Sequence, residues 1–205
     1  MDLTSGHNAD NGGLSRAILT DIGQQRAGAE SRLASQAAYL QCLGGFIATL
    51  DAQDESRSDV SPPMVSFSDI LHRSFIVTLN MVLEGELKNF TALLARHHPA
   101  PREVGFTGSV LDKFKKRVVK RYKLDLPLDK ALWRDLRGLY QLRTTLIHDD
   151  GRLEGLSAPK RALLEAFAAH NGSPAIVDDR VMVDRATCDQ SLALVARFVT
   201  EIYNA

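Results

Sequence analysis

From Ser68 to His97, apolar residues recur three or four apart at Leu71, Phe75, Leu79, Val82, Leu83, Leu87, Phe90 and Leu94. A strand exposes alternate residues to opposite faces and cannot bury a run of that period, so the spacing predicts one long helix. Ile70, Val77 and Met81 lie on its other side and predict a helix packed centrally in a bundle. Shorter runs of the same period predict helices over Leu111 to Tyr122, Lys130 to His148, about Pro159 to His170, and Arg185 to Tyr203. Leu14 to Leu50 also reads as helix, in two pieces, because Gly23, Gly28, Gly44 and Gly45 weaken its continuity.

Strand patterning is confined to Ala175 to Val183, where Ile176-Val177 and Val181-Met182-Val183 flank Asp178-Asp179-Arg180 as in a short hairpin. The predicted fold is therefore mainly α, a helical bundle with a short C-terminal β-hairpin. Residues 1–13 are polar and aperiodic and read as disordered; 14–67 hold the N-terminal helices and a linker; 68–205 form the helical domain. The linker is the acidic, Ser-rich stretch Asp51 to Pro63, which closes on Pro62-Pro63. With 205 residues, 44% of them hydrophobic, the chain can bury one well-packed core.

The formal net charge is zero, so any attraction for nucleic acid must come from local patches. One such patch is the helix over Leu111 to Tyr122, where Lys113, Lys115, Lys116, Arg117, Lys120 and Arg121 crowd around an apolar stripe of Leu111, Phe114, Val118 and Tyr122. It reads either as a solvated face or, beside a cleft, as a track for an RNA backbone. Cys42 and Cys188 fall in apolar helical stretches without metal-ligand spacing and read as reduced core residues. The N-terminal residues lack the basic start and apolar region of a secretory signal, and no apolar run approaches the ~20 residues of a membrane span. The cytoplasm, with no membrane contact, is the expected compartment.

The most informative stretch is Leu136 to Leu153, LRGLYQLRTTLIHDDGRL. At ~100° per residue, Leu132, Leu136, Leu139, Tyr140, Leu146 and Ile147 share one face, with Arg143 in its middle. A guanidinium buried there without a partner costs on the order of 3 to 5 kcal/mol, so it requires a carboxylate, a partner subunit or a phosphate. Glu84 and Glu86 on the long helix are the candidate supporting carboxylates for a structural pair. His148 closes the helix, and Gly151 is placed for a left-handed cap after Asp149-Asp150.

Arg143-Thr-Thr-Leu-Ile-His148 resembles the R-x4-H motif of the HEPN superfamily, and Asp149-Asp150-Gly151-Arg152-Leu153 resembles the polar-Gly turn that follows it there. Ser74 to Leu79 leading to Glu84 and Leu87, and the C-terminal hairpin followed by a helix, also look like elements of that family. The resemblance covers about Ser68 to Tyr203. It implies a HEPN-like bundle and a metal-independent endoribonuclease of the toxin or antiphage-defence kind, a homodimer whose two motifs meet around a cleft. His148 would then serve as general acid or base, and Arg143 would stabilise the phosphorane.

No cofactor is implied; the implied partners are RNA, a second copy of the chain, and an antitoxin or defence-system protein. Lys113, Lys116, Arg117, Lys120 and Arg121 are the expected RNA-binding residues. Many family members carry an amide side chain directly after the Arg; Thr144 stands here, four residues before His148, and its hydroxyl is expected to orient the imidazole. Some carry a Tyr two residues after the His as an adenylylation target, where this chain has Asp150. A HEPN-like module that binds RNA or protein without cutting fits the same residues, as does an unrelated helical adaptor.

Overall fold

The structure is a computed structural model that describes residues 10–54, 67–97, 106–124, 126 and 129–204, with side chains at all of these but 10–15 and 51–54. It is mainly α, with six α-helices among the described residues: α1 (Asp10–Asp54), α2 (Phe67–His97), α3 (Val110–Lys116), α4 (Lys130–His148), α5 (Ala158–Asn171) and α6 (Arg185–Asn204). Between α5 and α6 the strands β1 (Ala175–Val177) and β2 (Arg180–Met182) pair antiparallel, Ile176 opposite Val181, around a turn in which Asp178 and Asp179 take positive φ. The predicted hairpin is thus present.

α2 touches α1, α3, α4 and α6, as its long period requires. Its central position does not cover every side, however: Ile70 and Met81 remain 48% and 65% exposed. The core runs through Phe75, Leu79, Leu83 and Leu93 of α2, Leu132, Leu136, Leu139 and Leu142 of α4, and Val195 and Phe198 of α6.

The N-terminal region differs from expectation. α1 is one helix of 45 residues, passing straight through Gly23, Gly28, Gly44 and Gly45 and beginning before Leu14. Tertiary contact overrides the glycine penalty: Ala29, Leu33, Leu40 and Leu43 join the common core, so this region packs with α2 and α6 rather than standing apart. Gly44 is used for close approach, since a Cβ there would sit 2.6 Å from Arg185, which donates to the Leu40 carbonyl at 3.1 Å. The segment Arg16–Leu50 is, by length and composition, apolar enough to cross a membrane, although polar residues interrupt every uniformly apolar run in it. Of the stretches predicted as non-helical, residues 1–13 and 51–63, positions 10–13 and 51–54 belong to α1, while 1–9 and 55–63 lie outside the described residues.

Glu86 is fully buried and answers a cation, but that cation is Arg32 of α1. Arg32 Nε and Nη2 reach the carboxylate at 2.5 and 3.1 Å, and the Tyr203 hydroxyl donates to it at 3.3 Å. This corrects the expectation that Glu86 supports Arg143. The inward position was legible in α2's own period; the partner, 54 residues earlier in the chain, was not. Glu84 is half-buried and makes no hydrogen bond or ion pair among the described residues.

Arg32→Ala would leave the Glu86 carboxylate in the core with one neutral donor. A loss of about 2 to 3 kcal/mol is expected by chemical denaturation, below the full buried-pair cost because the Arg32 side chain is 43% exposed. Unchanged stability would mean that α1 contributes nothing through this pair.

Candidate functional site

Asp129 caps α4 by accepting from the Leu132 N–H at 2.5 Å, and Arg197 of α6 holds the same carboxylate at 2.7 Å. From there α4 is covered on two sides. α2 and α6 take the Leu132, Leu139 and Leu146 side, and α5 takes the Gly138 side, where a Cβ would fall inside the Phe167 side chain. Gly138, Leu142 and Thr145 are therefore buried as well, and the buried sector is turned by roughly a quarter-turn from the face predicted at ~100° per residue.

Tyr140 and Ile147, expected inside, are half-buried and 43% exposed. Arg143, expected at the centre of the buried face, sits half-buried at its border. What remains open on α4 is a narrow strip carrying Arg137, Tyr140, Thr144 and His148, at i, i+3, i+7 and i+11.

That strip floors a cleft of ≈ 400 Å³. Arg143 enters from one border and His148 from the other, separated by ~140° around the helix but serving one hollow because Tyr140 and Thr144 lie between them. Ser109, Leu111 and Asp112, at the start of α3, form one wall, and Pro159, Lys160 and Leu163, in the first turns of α5, form the other. The two residues of the motif thus line the same cleft within one chain.

The Arg143 Nε is enclosed and has no hydrogen-bond partner, and the side chain makes no ion pair among the described residues. His148 is exposed and likewise without a hydrogen bond there. Thr144 lines the cleft, but its hydroxyl donates to the Tyr140 carbonyl at 2.9 Å. That proton is spent on the helix backbone, which leaves only the oxygen lone pairs for any further hydrogen bond.

The end of α4 is firmly held. The Thr145 carbonyl accepts from the N–H groups of both Asp149 and Gly151, at 3.1 and 3.0 Å. Asp150 and Gly151 both have positive φ, 50° and 79°, so the left-handed turn starts one residue before the predicted glycine. The Asp150 carboxylate accepts from Arg73 of α2 at 2.9 Å and from Arg180 of β2 at 2.8 Å. Beyond it the Gly151 carbonyl accepts from Val181 N–H, and Leu153 N–H donates to Asp179, each at 2.8 Å, so the motif's tail lies along the hairpin.

The basic segment is placed elsewhere. After α3 the chain widens into a π-helical turn, Arg117–Arg121, in which Tyr122 N–H reaches back to the Arg117 carbonyl at 3.3 Å. Arg117 and Arg121 line a separate groove against Lys88 and Thr91 of α2. Lys116 donates to the Thr107 carbonyl at 2.9 Å, and Lys115 lies 4.9 Å over the Trp133 ring. Lys113 and Lys120 are exposed. None of the five expected RNA-binding residues lines the Arg143/His148 cleft.

The cations that do so besides Arg143 are Arg137 and Lys160, which the sequence analysis did not single out. Arg137 was legible in principle, from the Arg137-Tyr140-Thr144-His148 spacing; Lys160 depends on how α5 docks.

Asp150→Ala would release Arg73 and Arg180 from the turn after His148. Because the carboxylate side chain is 67% exposed, a stability loss of no more than about 1 kcal/mol is expected in thermal melts. A larger loss would show that the turn supports the whole fold and not only the end of α4. In comparisons with family models, with curated proteins and with solved structures, nothing matches this chain.

Proposed function

We propose that this chain is a metal-independent endoribonuclease of the HEPN kind, acting as a homodimer, of the sort used as a toxin or antiphage-defence effector held in check by a partner protein. One observation carries the reading: Arg143, with its Nε enclosed and no ion pair among the described residues, shares a cleft with His148. With Glu86 committed to Arg32, the half-buried Arg143 guanidinium keeps donors that suit a phosphate.

The chemistry follows from the substrate's own nucleophile. An imidazole takes the proton from the ribose 2′-hydroxyl, the 2′-oxygen bonds to phosphorus, and the P–O5′ bond breaks as the 5′-oxygen receives a proton. The products are a 2′,3′-cyclic phosphate and a free 5′-hydroxyl. Arg143 stabilises the charge that grows on the non-bridging oxygens. No step requires a metal, and DNA lacks the attacking group.

A second copy supports the reading by supplying a second imidazole, so that one His acts as base and the other as acid. Ile70 and Met81 of α2 and Ile147 of α4 are exposed apolar residues available to such a copy.

His148→Ala is expected to abolish cleavage of total RNA, with wild-type activity unaffected by excess chelator. Arg143→Ala should slow it by about 10²- to 10³-fold, the scale of losing a transition-state donor. A His148→Ala protein that cuts RNA at the wild-type rate sinks the assignment. An inert wild-type protein that still binds RNA supports a non-catalytic RNA-binding module in its place.

A further inference from the structure

We propose that Lys160 is a further catalytic residue of the cleft: its ammonium donates to a non-bridging oxygen of the reacting phosphate and shares with Arg143 the charge that grows there. The proposal rests on the ribonuclease reading for the identity of that phosphate, and on the docking of α5 for the position of the lysine.

That position follows from two contacts between α5 and α4. Phe167 packs on the Gly138 backbone; three residues further along α5, His170 Nε2 lies 3.4 Å from Oδ2 of Asp135, three residues back along α4. The two helices therefore run antiparallel, residue for residue. In the other direction, the seven residues from Phe167 back to Lys160 match the seven from Gly138 on to Thr145. Lys160 thus stands level with Thr145, about 3 Å along the axis from Arg143 and about 4.5 Å from His148. It lines the same cleft as both, and a four-carbon side chain covers such a separation.

Its setting favours an anion beside it. Lys160 lies in the first turn of α5, where the helix macrodipole opposes a cation. That turn holds no acidic residue, and Lys160, which is exposed, makes no side-chain hydrogen bond or ion pair among the described residues. The neighbouring Arg161 is in the opposite case, held by Glu165 at 2.8 Å and by Asp179 at 2.7 Å. Asp112, the carboxylate that lines the cleft, is at its other end, with Oδ1 4.0 Å from the Arg137 Nε. A phosphorane carries charge on two non-bridging oxygens. Arg143 comes to it from α4 and Lys160 from α5, so each oxygen has its own cation and neither group exchanges a proton.

The test uses the full chain, with cleavable RNA for kcat and KM. A single-stranded oligoribonucleotide of 2′-O-methyl riboses, which cannot be cut, gives binding across a salt series. Lys160→Ala is expected to lower kcat about 10²-fold, the loss of one transition-state donor, and Lys160→Arg to restore it to within about tenfold of wild type. The slope of log affinity against log salt should flatten by ~0.7 in Lys160→Ala, one contact to a single strand. The melting temperature of Lys160→Ala should equal or exceed that of wild type, since the removed cation opposes the α5 dipole and has no partner to lose among the described residues.

Wild-type kcat in Lys160→Ala, alongside His148-dependent cleavage, overturns the proposal and leaves the ribonuclease reading standing. So does a flatter salt slope at wild-type kcat, which would put the lysine on a phosphate other than the reacting one. A loss of kcat that arginine does not restore and that comes with a lowered melting temperature marks a structural lysine and overturns the proposal as well. Should wild-type protein cut no RNA, the ribonuclease reading fails and the catalytic role with it. A flattened slope in Lys160→Ala would then leave a phosphate contact alone, and an unchanged slope would remove that too.

Discussion

The open strip of α4 depends on the missing side chain at Gly138. Because no Cβ stands there, Phe167 lies directly on the α4 backbone and α5 closes over that side of the helix. α4 is then covered by α2 and α6 on one flank and by α5 on the other, and only a narrow strip stays open. The same docking carries the first turn of α5, with Pro159 and Lys160, to the rim where His148 emerges. Had α5 packed a few ångströms farther out, the strip would be an ordinary solvated helix face.

A second constraint sits on the other side of the core. A carboxylate with no exposure must be answered, and Glu86 is answered by a long side chain from α1 and a phenol from α6. The consequences reach the cleft by elimination. Of the two carboxylates on α2 that could neutralise Arg143, one is used up and the other makes no ion pair among the described residues. The half-buried Arg143 guanidinium keeps its donors uncommitted because the bundle has spent its most buried carboxylate on holding α1.

Much of the fold was legible because it follows from a period. The long helix around Phe75 and Leu79, the helix ending at His148 and the Ile176/Val181 hairpin all depend on spacing and local turn chemistry, which one sequence carries in full. What was not legible depends on which neighbours arrive. A single apolar stripe drawn through Leu132, Leu139 and Tyr140 misplaced the buried sector of α4, since Gly138 and Thr145 read as neutral positions until α5 is set upon them. α1 looked interrupted because glycine weakens a helix in isolation, whereas Gly44 is where Arg185 of α6 needs room. The π-helical turn, which carries Arg117 and Arg121 toward α2, leaves no mark in a heptad-like count.

The left-handed turn after His148 bears on the entropy of any reaction in the cleft. The last residues of a helix usually sample many backbone states, and a catalytic side chain placed there must lose that freedom each time it acts. Here a doubly used carbonyl, a carboxylate gripped by two guanidinium groups and a short run alongside β2 have already removed it. The imidazole is left with little more than its two side-chain torsions to settle. For the proton transfer proposed for His148, preorganisation would thus be met when the chain folds and not when the substrate arrives.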